Sequence, residues 1–99
     1  MTELAVTIRP EAEADIADSF QWYESQRQGL GEDFLLCVEE ALSRASRYPT
    51  LHSIVYKKIR RLLIRRFPFG LFFIEGEGSI VVLAVLHARR NPKTWKQRD

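Results

Sequence analysis

The run His87-Ala88-Arg89-Arg90 sets an imidazole just ahead of a guanidinium pair, and Arg65-Arg66 supplies a second pair. An unperturbed imidazole titrates near neutrality, so His87 is the best general base or acid in the chain. Two guanidinium groups held close together repel, and doublets such as Arg65-Arg66 and Arg89-Arg90 make most sense with an anion among them. The bland use of cations is equally open. Lys57, Lys58 and Arg60 read as charges that keep a sheet edge soluble and unaggregated. Metal chemistry finds no footing, because His52, His87 and Cys37 lie far apart with no ligand spacing. Gly76 and Gly78 mark a turn rather than a phosphate-binding loop, since no helix N-terminus follows them. His52 follows Pro49 in a loop and reads as surface; Cys37 reads as a small core residue.

Holding these groups in place requires strands and something to cover them. Leu4–Ile8 alternates and predicts a short strand, ended by Arg9-Pro10. Pro10 suits the first helical position, where a missing N–H loses nothing. Ala12, Ile16, Phe20 and Tyr23 then recur at three- and four-residue spacing, while Glu11, Asp15 and Asp18 fall on a wet face. This predicts an amphipathic helix over Pro10–Gln26. Gly29-Leu30-Gly31 interrupts it, with Gly31 as the expected N-cap of a second helix. Its stripe is Phe34, Val38, Ala41, Leu42 and Ala45, and it stops near Arg47 ahead of Pro49. Two such helices form an αα-hairpin whose apolar stripes need a surface to bury against. Ile54–Tyr56, Leu62–Arg66, Phe69–Glu75 and Ile80–His87 are β-rich, and Glu75–Ser79 has hairpin-turn composition. The expected class is α+β: an N-terminal strand and a helical hairpin on one face of a small, mostly antiparallel sheet.

Alternation assigns faces. Leu62 and Ile64 point one way, and Arg61, Leu63 and Arg65 the other, onto the face that the helices leave open. Leu83, Val85, His87 and Arg89 share a face if pairing stays regular that far. The polar, basic tail after Asn91-Pro92 is a short cap or a frayed end, with Trp95 packing it onto the core. Trp22 and Tyr23 lie beside the first stripe and are mostly core, with one of them reaching the surface.

The chain of 99 residues is expected to be one domain, 1–99. Hydrophobic content of 45% with 28% charged residues excludes a disordered chain. The longest apolar run, Ile80–Leu86, is too short to cross a bilayer. The opening MTELAVTIRPEAEAD has no basic or apolar leader pattern, and a single cysteine suits a reducing compartment, so the cytoplasm is expected. The net charge of +2 conceals a split. Residues 1–50 carry four arginines against ten acids, and residues 51–99 carry eleven cations against three acids. The basic half should face an acidic partner.

Taken in order, several fragments resemble the RelE/ParE superfamily of toxins from bacterial type II toxin–antitoxin pairs, most closely ParE-like or plasmid-stabilisation proteins. They are Arg9-Pro10-Glu11-Ala12, Trp22-Tyr23-Glu24, Gly29-Leu30-Gly31-Glu32-Asp33-Phe34, Arg65-Arg66-Phe67-Pro68-Phe69, Val85-Leu86-His87-Ala88-Arg89-Arg90-Asn91-Pro92 and Trp95. The resemblance covers nearly the whole chain and implies a helical hairpin on a curved antiparallel sheet. It also implies a cognate antitoxin whose extended and helical C-terminal segment wraps the toxin in a heteromeric complex. Arg61, Leu63 and Arg65 are the expected antitoxin contacts.

The superfamily divides by target. ParE-like members poison DNA gyrase without chemistry; RelE-like members cleave messenger RNA at the ribosome. In a ribonuclease His87 would be the catalytic acid or base, with Arg65, Arg66, Arg89 and Arg90 binding the anionic target. This chain has no tyrosine after Tyr56, where many ribosome-dependent relatives carry one, and its ending is closer to the ParE-like branch. Growth inhibition through gyrase is therefore the favoured expectation, with no cofactor and no metal. A basic nucleic-acid-binding module without toxicity is a third reading.

Overall fold

The computed structural model describes residues 4–99, so the first three residues of the expected 1–99 domain lie outside the described residues. The order of elements is β1 (Ala5–Ile8), α1 (Pro10–Gln26), α2 (Leu30–Arg47), a 3-10 turn at Pro49–Leu51, β2 (Ser53–Tyr56), β3 (Ile59–Leu63), β4 (Phe69–Gly76), β5 (Ser79–His87) and α3 (Lys93–Lys96). The strands form one open sheet in the order β1-β5-β4-β3-β2. Only β1 runs parallel to its neighbour, β5; the other pairings are antiparallel.

Helix α1 begins at Pro10 and carries Glu11 and Glu13 in its first turn, where the macrodipole favours anions. Helix α2 starts two residues earlier than an N-cap at Gly31 would set it. Gly29 is the N-cap, with φ +88°, a conformation that costs a residue without a Cβ little. The α2 N-terminus is capped from α1, because the Glu24 carboxylate accepts from the Gly29 and Gly31 N–H groups, each at 2.9 Å. Gly31 is buried where the helices touch, and a Cβ there would lie 2.8 Å from the Phe20 ring and carbonyl oxygen.

The hairpin covers one face of the sheet. Ala12, Phe34, Val38, Ala41 and Ala45 meet Leu62, Ile64, Leu71, Phe73, Ile80, Val82 and Val85 in the main core. Phe34 is fully buried, with its ring centroid 5.3 Å from Phe67 and 5.0 Å from Phe69. A second apolar cluster lies on the opposite face, made of Ile59, Phe72, Leu83, Ala84, Leu86 and Trp95. The tail covers it. Trp95 is buried and stacks on Phe72 at 4.5 Å with an interplanar angle of 18°.

Between these faces, β5 does not alternate regularly. Phe72 pairs with Ala84 but Phe73 pairs with Val82, so Leu83 is an inserted residue. Leu83 and Ala84 therefore both join the tail-side cluster, while Val82 and Val85 face the helices. The expected common face of Leu83 with Val85 and His87 is broken at this bulge. Past the end of β1, the Val85 N–H donates to Asp15 Oδ2 at 3.0 Å, and the Leu83 carbonyl accepts from Arg98 Nη1 at 3.1 Å. Side chains thus satisfy β5 backbone groups that β1 is too short to reach.

Candidate functional site: the tail-side face of the sheet

Strand β3 sends Leu62 into the main core and leaves Arg61 and Leu63 exposed on the face away from the helices. Leu63 is 61% exposed, unusual for leucine in a strand interior to a five-stranded sheet. Arg65 leaves that face. The strand ends at Leu63, and although the Ile64 N–H still bonds to the Phe69 carbonyl, Arg66 adopts φ +70° and turns the chain. Arg65 Nη1 then lies 3.6 Å from Glu40 on α2, and Arg66 Nη2 lies 3.8 Å from Asp33. Both arginines remain well exposed, so these are loose surface pairs.

The Ala88 N–H donates to the Pro68 carbonyl at 2.8 Å, so the turn that carries Arg65 and Arg66 lies beside the end of β5, although both guanidinium groups are directed to α2 carboxylates. Arg89 and Arg90 stand beyond the end of β5. The fold also brings together Arg61, Leu63, His87, Arg90 and Trp95, which border a concavity of about 70 Å³ on the tail side. Among the described residues, Arg61, Arg89 and Arg90 have no ion-pair partner.

His87 ends β5 with its ring 5.5 Å from that of Phe69. Its Nδ1 accepts the Arg89 N–H at 3.0 Å. That bond assigns the neutral ring's proton to Nε2. The ring then presents a donor, not a lone pair, to anything that approaches Nε2. On the helix side His87 also borders a groove of about 400 Å³ with Asp18, Ser19, Trp22, Tyr23 and Phe69. Trp22 is 59% exposed there, whereas Tyr23 packs among Phe34, Phe67 and Phe69, so Trp22 is the one that reaches the surface. Burial raises the Tyr23 phenol above its ordinary pKa of 10.0.

Two features escape reading along the chain. His52 is partly buried rather than on the surface. Its ring packs 6.0 Å from that of Phe73, and its carbonyl accepts from Arg60 Nη1 at 2.8 Å. Lys96 of the tail and Lys57 of the β2–β3 turn also converge on one ring, with Lys96 Nζ 4.9 Å and Lys57 Nζ 5.3 Å from the centre of Tyr56. Only the proximity of Tyr56 to Lys57 is visible in sequence. Among the described residues, no cluster of three or more His, Cys, Asp or Glu could hold a metal ion, and no helix is long and apolar enough to cross a membrane.

A family description, "ParE toxin of type II toxin-antitoxin system, parDE", matches residues 6–92. The chain belongs to the ParE toxin family. Its ParE-like fold is also similar to solved structures. One is the chromosomal ParDE toxin–antitoxin system from P. aeruginosa, at a TM-score of 0.64 and 16% identity, covering 86% of this chain and 96% of that one. Another is the RelBE2 toxin–antitoxin complex from Mycobacterium tuberculosis, at a TM-score of 0.62 and 18% identity, covering 88% and 93%. At these identities the likeness is one of fold: a helical hairpin on an open, mostly antiparallel sheet. No curated protein sequence matches this ParE-family chain.

Proposed function

We propose that this chain is the toxin of a type II pair that inhibits DNA gyrase in the cytoplasm without catalysing a covalent step, and that a cognate antitoxin holds it inactive. Family membership supports the toxin assignment. The single observation that favours a non-catalytic mode is the Arg89 N–H bound to His87 Nδ1. Cleavage at a 2′-hydroxyl needs a proton acceptor as well as a donor to the leaving oxygen, and a ring held in this tautomer presents Nε2–H, which takes from His87 the acceptor role. Glu40 and Asp33 also compete with a phosphate for Arg65 and Arg66.

Arg61 and Leu63 are proposed antitoxin contacts, pairing a cation with an exposed apolar side chain as an acidic amphipathic segment requires. Arg65 serves as a third contact from the adjoining turn. Charge reversal at both Arg61 and Arg65 should weaken antitoxin binding; unchanged affinity would remove these two arginines from the interface.

Ribosome-dependent message cleavage is the second reading, favoured by Arg61, His87 and Arg90 bordering one concavity. Regulated expression separates the two. Under the gyrase reading, wild type and His87→Ala both arrest growth with messages intact, and the neighbouring antitoxin gene restores growth. Rapid message cleavage that disappears in His87→Ala would establish the ribonuclease instead.

A further inference from the structure

The cations divide by where they stand. Those near the helices lie within ion-pair range of carboxylates: Arg27 to Asp33 at 3.9 Å, Arg44 to Glu40 at 2.6 Å, and Arg65 and Arg66 as above. Arg60 meets Glu75 at 3.3 Å, and Arg98 is held by Asp15. In contrast Arg89, Arg90, Lys93 and Lys96 of the tail, together with Lys57 of the β2–β3 turn, have no carboxylate partner among the described residues. All five are exposed. Lys57 and Lys96 are drawn to one aromatic ring, that of Tyr56, which itself lies 6.4 Å from the Trp95 ring. Like charges collected in this way repel unless a polyanion lies across them.

We propose that this ridge, Lys57 with Arg89, Arg90, Lys93 and Lys96, binds the phosphate backbone of duplex DNA. Three observations choose this occupant. Single-stranded nucleic acid is gripped by stacking its bases on exposed rings, but Trp95 and Phe72 are buried against each other. A protein partner needs an apolar anchor, and residues 89–96 themselves offer none, the exposed Leu63 beside Arg90 and Ile54 beside Lys57 belonging to β3 and β2. A duplex backbone requires neither; it requires cations on a rigid support. The support is present, since Trp95 is stacked in place and Arg98 is tied to Asp15. The ridge acts whichever cellular target the toxin inhibits, so this inference does not rest on the gyrase reading.

Fluorescence anisotropy of the full chain with a short labelled duplex tests it across a salt series. Each phosphate contact contributes about −0.9 to the slope of log K against log salt, so five cations predict a slope of about −4.5, independent of sequence. Lys93→Gln with Lys96→Gln, both exposed and free of ion pairs, should flatten the slope by about 2. Arg27→Gln, at the far side of the hairpin, should leave it unchanged. Four outcomes would each overturn the proposal: no salt-dependent binding to duplex, tighter binding to single strand or to polyglutamate, equal flattening by Arg27→Gln, or a slope indifferent to the lysine changes. Equal melting temperatures of the variants establish that folding is not the cause.

Discussion

Asp15 on α1 and Arg98 in the tail, 83 residues apart, form a two-point ion pair, with Nη1 to Oδ2 at 2.6 Å and Nη2 to Oδ1 at 3.2 Å. Both side chains are largely buried, and each also satisfies a β5 backbone group at the bulge. Arg9 extends the junction by donating from Nη1 to the Arg98 carbonyl. The pair therefore joins β5, the first helix and the chain's last turn.

Asp15→Ala should accordingly cost much more than a surface charge. It strands a guanidinium and leaves the Val85 N–H without its acceptor, a loss of roughly 3 kcal/mol. For a domain of this size that lowers Tm by about 10 °C or more. Thermal melts of Asp15→Ala, Arg98→Ala and the double variant check this, with the double variant expected to lose far less than the sum of the singles.

Gly31→Ala sets two effects against each other. Helix propensity favours alanine by up to about 1 kcal/mol. The new methyl group, however, would sit 2.8 Å from the Phe20 carbonyl oxygen, a backbone atom that cannot rotate away. Overpacking of this kind costs about 1–3 kcal/mol. The clash wins, and urea unfolding should show a net loss of stability.

Much of this was legible along the chain, and the exceptions have physical causes. The helix of Pro10–Gln26 is bounded as expected, because proline and an apolar stripe are local signals. The strand expected at Leu62–Arg66 is observed at Ile59–Leu63, because Arg66 takes a positive φ that side-chain pattern does not announce. The Leu83 bulge is equally silent, since Val81 to Leu86 are all apolar and any alternation among them is invisible. Of the candidate site residues, Arg61 and Leu63 lie where alternation puts them, whereas Arg65 depends on where β3 stops. Trp95 docks as expected, but the gathering of Lys57 and Lys96 on Tyr56 depends on tertiary contact alone.

Alkaline pH gives a separate test of the main core. The raised Tyr23 phenol pKa means that folding favours the protonated form. This contribution is full below the unfolded value of about 10 and is lost as pH rises through the higher folded value. Urea midpoints should thus fall between pH 9 and pH 11 in wild type, and fall less in Tyr23→Phe, which keeps the ring against Phe34 and Phe67.

The most direct test of toxin action without catalysis is supercoiling of relaxed plasmid by purified DNA gyrase in the presence of this chain. Wild type and His87→Ala should inhibit equally, and cognate antitoxin should relieve both. Gyrase that works undisturbed at saturating toxin would contradict the assignment, and inhibition lost on replacing His87 would contradict its non-catalytic form.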